Sequence, residues 1–292
     1  MEKILYFLNP KAGSGVPENL ESAIREQSAR EGHAYRIHQL TGKFGPDQIE
    51  QLLDDYAPSI TVAAGGDGTI NLIAGTIMDR KTRLGIIPLG SANGLAYQLN
   101  IPGDPMEALK LIASGKSRKV DMLMVDGERH CLHMCDLGMN ARVIRRYDKE
   151  DVRGFYGYAK QYFREFGMRH KFRYSIQTGE KTISSKAVMI VLANGSYYGT
   201  GASISPEGSP DDGWFEVVAI QSYPFWFLLY MLLSVFFRKI GKRSFSRIIR
   251  CREAKITVIP SQEMQVDGEP MGLQNTISAK IIPGSVHIIS GA

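Results

Sequence analysis

The chain has 292 residues, more than one ordinary core accommodates and enough for two domains at ~100–200 residues each. Hydrophobic residues make up 43% and charged residues 22%, which excludes a chain dominated by disorder. A net charge of +5 suits an anionic partner, whether nucleotide, nucleic acid or anionic membrane, without choosing among them.

Residues 3–8 (KILYFL) form a short apolar run broken by Asn9-Pro10, which predicts a buried strand and a turn. That run is shorter than the ~7–15 apolar residues of a secretion signal, so none is expected. Val16 to Glu31, with Leu20, Ala23 and Ile24 at helical spacing, predicts a helix. Tyr35 to Leu40 predicts a strand, and Asp47 to Tyr56, with Ile49, Leu52 and Leu53, a helix. Ser59 to Ala64 predicts a buried strand ending at Gly65-Gly66, with a helix over Ile70 to Met78. Arg83 to Pro88 predicts a strand, followed by a small-residue turn, a helix near Ala92–Leu99 and another over Met106 to Ala113. Such strand–helix alternation predicts an α/β domain with a largely parallel sheet.

Near Lys119 the pattern changes. Strands are predicted at 119–125, 128–135, 172–177, 182–193, 214–220, 254–259, 263–266 and 276–289, with a helical stretch at about 151–166. This reads as an α/β domain over residues 1–120 and a β-rich antiparallel sandwich over 121–282, the last strand, about 283–292, being free to return to the first domain. Cys131, Cys135 and Cys251 are odd in number in a long chain, which argues against a disulfide framework and for a reducing, cytosolic setting. His130, Cys131, His133 and Cys135 resemble a metal cluster, but they lie on one short segment, where zinc sites usually draw on two; an ordinary strand is expected.

Three small-residue turns follow predicted strands. Gly65-Gly66-Asp67-Gly68-Thr69 opens a helix, where glycine backbone and helix amides let a phosphate approach. Asp67 would repel bare phosphate and implies Mg²⁺ or a substrate hydroxyl nearby; a tight turn with a capping aspartate is the plainer alternative. Asn9-Pro10-Lys11-Ala12-Gly13-Ser14-Gly15 and Gly90-Ser91-Ala92-Asn93-Gly94 are weak signals singly, and the first is not a Walker loop. Together the three would sit at carboxyl ends of parallel strands, where open α/β sheets bind ligands.

In order and spacing, NPKAGSG, GGDGTIN and PLGSANGLA resemble the catalytic domain shared by diacylglycerol, sphingosine and ceramide kinases and their bacterial relatives. Downstream, Ala193–Gly201, the segment from Ser205-Pro206 to Asp211-Asp212-Gly213-Trp214, and Val266-Asp267-Gly268-Glu269 extend the resemblance to nearly the whole chain. The resemblance implies a three-layer α/β nucleotide-binding domain of NAD kinase and phosphofructokinase type, followed by a β-sandwich lipid-binding domain. It implies ATP held by Asn9, Pro10, Lys11, Ala12 and Gly13, by Gly65, Gly66, Asp67, Gly68, Thr69, Ile70 and Asn71, by Ser91 and Asn93, and by Thr41. ATP would lie in the cleft between the two domains. Glu269 is implied as general base with Asp267 beside it; Asp67 would link to the nucleotide's Mg²⁺, or act as base itself. From the residues alone, Asp267-Gly268 reads first as a hairpin turn, and the resemblance is what points to chemistry there. A second, structural Mg²⁺ maps onto Asp212, the backbone carbonyl of Trp214, and Ser209, although Ser209 stands where the family often has a carboxylate. Gly94 also departs from the aspartate of many bacterial members.

Tyr223 to Phe237 is uncharged but as a helix would span only ~22 Å, short of a ~30 Å bilayer core. Seven cations follow, Arg238, Lys239, Lys242, Arg243, Arg247, Arg250 and Arg252. A buried helix with a solvated basic face, or an element at an anionic membrane surface, are the two readings. No nucleic-acid motif accompanies the run. The combined expectation is a cytoplasmic, peripherally membrane-associated, ATP- and Mg²⁺-dependent kinase acting on a membrane-lipid hydroxyl. A soluble-substrate kinase of NAD kinase type and a non-catalytic lipid carrier are the alternatives. A homodimer is left open.

Overall fold

The computed structural model describes residues 1–13, 15–41, 44–91, 93–147, 161, 164–165, 170–198, 202–221 and 246–291. The apolar stretch 223–237, the cations at 238–245 and most of the helical stretch 151–166 lie outside the described residues. The chain divides into two compact units, Met1–Met122 with Pro283–Ala292, and Leu123–Ile282.

The first unit alternates strand and helix: β1 (Lys3–Leu8), α1 (Leu20–Glu31), β2 (Ala34–Gln39), α2 (Pro46–Tyr56), β3 (Ile60–Gly65), α3 (Asp67–Ile77), β4 (Arg83–Pro88), α4 (Gly94–Gln98), α5 (Pro105–Ser114) and the start of β5 (Lys116–Val125). β2, β1, β3 and β4 pair in that order, all parallel, and the end of the last strand of the chain joins β4 in parallel at Ile288↔Leu84. β3 is buried along its whole length, as a central parallel strand with both faces covered must be. α1 packs with α5 and α2 with α3. Right-handed crossovers put these two pairs on opposite faces, because the chain moves from β1 outward to β2 and then back across to β3 and β4. Tyr6, Phe7, Leu8, Ile24, Ile49 and Ile70 are at most 2% exposed. Each contributes about 1.5–3 kcal/mol by burial.

Local chemistry sets the helix ends. Asp104 caps α5, its Oδ1 accepting from the Met106 and Glu107 amides at 2.9 and 3.0 Å, with Pro105 at the first helical position. Gly32 closes α1 with a φ of 68°. α1 starts at Leu20 rather than Val16, since Pro17 precedes it and the Leu20 amide turns back to the Pro17 carbonyl.

The second unit holds the end of β5, then β6 (Arg129–Cys131), β7 (Met134–Gly138), α6 (Met139–Tyr147), β8 (Phe172–Thr178), β9 (Lys181–Ala187), β10 (Met189–Ala193), β11 (Tyr197–Tyr198), β12 (Ala202–Ser203), β13 (Phe215–Ile220), β14 (Ser246–Cys251), β15 (Glu253–Val266) and most of β16 (Glu269–Ser290). Pairing is antiparallel throughout, in the order β14–β13–β10–β7–β15–β16, with β9 and β8 on the early part of β15. β15 pairs with β8 over Lys255–Ile259 and with β7 over Met264–Val266, changing partner across a bulge between Thr257 and Gln262. A strand that changes partners at a bulge makes the corner of a sandwich. Its core includes Leu123, Leu137, Phe172, Leu192, Phe215 and Ile256.

Several expected boundaries move. The predicted strands 254–259 and 263–266 are the single strand β15, bulged where sequence alternation fails. Residues 128–135 are not one strand: β6 stops at Cys131 and β7 starts at Met134. α6 was not expected; it follows Gly138, whose φ of 102° turns the chain out of β7.

Candidate active site

The turns of the first unit leave the carboxyl ends of β1, β3 and β4. The sheet order reverses between β1 and β3, the position at which open parallel sheets bind ligands. There the Asn9 amide donates to the Ala64 carbonyl at 2.9 Å, and Asn9 Nδ2 donates to Thr69 Oγ1 at 2.8 Å. Asn9 Oδ1 accepts from the Lys11 amide at 3.0 Å, folding the first turn onto its own side chain. A Cβ on Gly13, where φ is +53°, would stand 2.0 Å from the Leu89 carbonyl oxygen; one on Gly90 would stand 2.7 Å from Gly66 Cα. Only glycine lets these backbones approach so closely.

α3 starts directly at Asp67, with Gly66 extended before it and no side chain capping its first amides. Those amides carry partial positive charge and suit an anion. The Asp67 carboxylate lies 3.3 and 3.5 Å from the Gly94 and Leu95 amides, long contacts that orient it toward the third turn. Asn93, at φ 49°, accepts from the Gly90 amide through Oδ1 and donates to the Gly90 carbonyl through Nδ2, both at 2.8 Å. Pro10, Lys11, Gly13, Thr41 and Ser91 are exposed, whereas Gly66, Gly68, Thr69 and Asn71 are half-buried. Gly65 and Ala12 are buried. Ile70 faces the core at 0% exposure, and its amide donates to the Gly66 carbonyl at 3.0 Å, so it shapes the turn from behind.

In the second unit, Asp267 and Gly268 form a two-residue hairpin turn with φ of 44° and 89°, joining β15 to β16 with Val266 opposite Glu269. The two acidic side chains flanking the glycine part company. Glu269 is exposed, while Asp267 is 4% exposed. Asp267 Oδ2 accepts from the Leu132 amide at 2.7 Å, and Oδ1 from the His133 and Met134 amides at 3.1 and 2.8 Å. This carboxylate breaks the expected strand 128–135, because amides turned toward Asp267 are lost to a ladder. Asn194, fully buried, holds the same break: its Nδ2 donates to the Leu132 carbonyl and its amide to the His133 carbonyl, both at 2.9 Å. Cys131 and Cys135 beside it are fully buried. Burial, and after it the Asp267 carboxylate for Cys131 and the Asp136 carboxylate for Cys135, push both thiols well above their ordinary range. Both belong to the apolar core of the second unit.

The segment before β13 carries its own ionic cluster. Asp212 Oδ1 accepts from the Trp214 amide at 2.9 Å, and Oδ2 from Arg250 Nη2 at 2.7 Å. Ser209 donates its hydroxyl to Asp211. Arg250 also stands 3.7 Å from Glu216 Oε1, and the Trp214 ring lies under Arg250 and Arg252, with the guanidinium carbons 5.4 and 4.5 Å from its centroid. Burial, then the Asp212 carboxylate, push Glu216 up to about 7, with Arg250 pulling the other way.

Residues 3–125 match the diacylglycerol kinase catalytic domain family, and residues 134–290 match the YegS C-terminal NAD kinase beta sandwich-like domain. The chain belongs to the diacylglycerol kinase catalytic-domain family. It is therefore a kinase. A provisionally named lipid kinase of Staphylococcus aureus (strain MSSA476) is 24% identical over 249 residues, 81% of this chain and 79% of that protein. Another from strain MRSA252 aligns with the same identity and coverage. A crystal structure of a provisionally named diacylglycerol kinase from Bacillus anthracis str. Sterne superimposes with a TM-score of 0.78 at 21% identity, over 99% of this chain and 97% of that one. A second diacylglycerol kinase structure from that organism gives 0.72 at 19%. These two structural likenesses bear on the fold alone.

This kinase fits one of the two expected magnesium ions. Asp67 places a carboxylate among turns suited to phosphate, a donor set that matches an ion carried in on a nucleotide, which needs one or two carboxylates besides phosphate oxygens. The Ser209–Asp212–Trp214 segment does not fit the second. Both Asp212 oxygens accept hydrogen bonds, one from a guanidinium that already neutralises it, and the Ser209 hydroxyl turns to Asp211. Among the described residues, no group of three or more His, Cys, Asp or Glu is placed to hold an ion. Sequence reasoning missed Asn194, Arg250 and Glu216 as parts of these arrangements. Asn194 left a signal by standing in the Ala193–Gly201 motif, and Arg250 by standing in the basic run.

Proposed function

We propose that this kinase transfers the γ-phosphoryl group of ATP to a hydroxyl of a membrane-derived lipid, with Glu269 accepting the hydroxyl proton. The observation that carries the reading is the closure of three glycine-lined turns on one another at the switch point of the parallel sheet, beside the uncapped first amides of α3. Phosphoryl transfer needs alignment and charge neutralisation more than covalent help, and such turns supply oriented amides for the phosphates. Asn9, Gly13, Gly66, Gly68, Thr69 and Ser91 would line the phosphates, with Thr41 toward the nucleoside. Asp67 would hold the nucleotide's magnesium ion, which when bound supplies charge neutralisation on the phosphates. Glu269 is exposed at the start of β16, and its carboxylate would take the proton as the alcohol oxygen attacks. The names of the curated relatives support a lipid acceptor, as do the apolar stretch 223–237 and the cations after it.

The test is incubation with labelled ATP, Mg²⁺ and extracted total membrane lipid, followed by chromatography of labelled products. A labelled lipid formed by the native chain and lost by about 10²–10⁴-fold in Glu269→Gln supports the reading. Labelled product from NAD and none from lipid would replace it with a soluble-substrate kinase. Full activity of Glu269→Gln on lipid would remove Glu269 as the base.

A further inference from the structure

The turn that presents Glu269 is gripped by a buried relay outside the phosphate-handling loops. Gln265, 1% exposed on β15, accepts from the Gly268 amide through Oε1 at 2.7 Å and donates through Nε2 to Asp136 Oδ2 at 2.5 Å. Asp136, 0% exposed on β7, stands opposite Gln265 in the β15–β7 register. The same Oδ2 accepts at 2.7 Å from Nδ2 of Asn140, the second residue of α6. The chemistry permits one arrangement only. A carboxylate can only accept, so Asp136 fixes which end of the Gln265 amide faces it, and the carbonyl end must then face Gly268. With Asp267 held by the 132–134 amides, each of the two turn residues is tied to a different buried partner. Apolar side chains would fill this space without the desolvation that a buried carboxylate and two amides require. What the polar set adds is a fixed direction for one backbone amide, and the next residue along is Glu269.

We infer that Gln265, oriented by Asp136 and Asn140, is a positioning residue for the reaction: it sets the backbone from which Glu269 reaches the acceptor hydroxyl. The inference rests on the proposed role of Glu269 as base. Losing the relay lets the turn shift by a fraction of an ångström, enough to change the chemical step while leaving nucleotide binding alone.

The experiment measures kcat, KM for ATP and thermal midpoint, using labelled ATP and total membrane lipid in detergent micelles. The variants are Gln265→Met, Gln265→Glu, Asp136→Asn, the double exchange D136N/Q265E, and Glu269→Gln as control. Gln265→Met is expected to lower kcat about ten- to a hundredfold, with KM for ATP within about twofold. Gln265→Glu sets two carboxylates side by side and should be impaired at least as much. The double exchange rebuilds the bond between positions 136 and 265 with reversed polarity. A side-chain amide at position 136 then donates to a carboxylate at position 265, which still accepts from the Gly268 amide; with the Asn140 amide reversed so that its oxygen accepts from position 136, most of kcat should return relative to Gln265→Glu. That recovery decides the matter even if Gln265→Met fails to fold. A lowered midpoint with unchanged kcat in Gln265→Met, or no recovery in the double exchange, overturns the positioning role while an inactive Glu269→Gln leaves the base intact. An active Glu269→Gln overturns the base, and the positioning role with it.

Discussion

The turns of the first unit and the Asp267 turn of the second are both tight, yet they are held by opposite means. In the first unit backbone meets backbone: Gly13 lies against Leu89 and Gly90 against Gly66, with short-range side-chain ties such as Asn93 to Gly90. In the second, buried polar side chains reach across long stretches of chain, Asp267 to the 132–134 amides and Asn194 to Leu132. The first construction leaves helix amides open for an anion; the second uses up its amides to lock one turn in place. Under the proposed mechanism the two constructions suit two tasks, since phosphate must arrive and depart while a proton acceptor must not wander.

Three substitutions press on this contrast. The largest effect is expected from Asp267→Ala, which strands three buried amides and should lower unfolding free energy by about 3–5 kcal/mol in urea titration. A loss below about 1 kcal/mol would mean that the carboxylate is not what holds the turn, and the contrast would fail. Next is Glu216→Gln. Because burial raises the folded pKa from 4.5 to about 7, the folded state takes up the proton more readily than the unfolded one. This group's contribution is therefore fully present below about pH 4.5 and is lost as pH rises through about 7. Thermal midpoints of Glu216→Gln between pH 4.5 and 8 should show a flatter profile than those of the native chain. An identical profile would show that Arg250 already compensates the ionised carboxylate. The smallest effect on stability is expected from Gly13→Ala, about 2 kcal/mol, from a side chain forced to positive φ against the Leu89 carbonyl. It should nonetheless weaken ATP binding by about tenfold or more in calorimetry, since a ~1 Å shift moves the donors away from phosphate. Equal ATP affinity would separate the first turn from nucleotide binding and leave the other two to carry it.

The chain's order of strands and helices in the first unit, the three turns and the hairpin at Asp267-Gly268 were legible from the sequence. Each depends on residues near one another: apolar runs such as KILYFL, glycines at strand ends, and an Asp-Gly pair whose backbone tolerates positive φ. Tertiary structure alone decided that Asp267 turns inward while Glu269 stays exposed. The partners of Asp267 lie 133 to 135 residues earlier in the chain, and nothing in the local pattern announces them. For the same reason residues 128–135 read as one strand until a distant carboxylate drew three of its amides out of the ladder. Arg250 likewise reaches Asp212 across 38 residues, a pairing that no local pattern announces. Periodicity reports which face of an element is buried. It carries no record of which distant polar group will meet that face, and in this kinase those meetings fix the turn that bears Glu269.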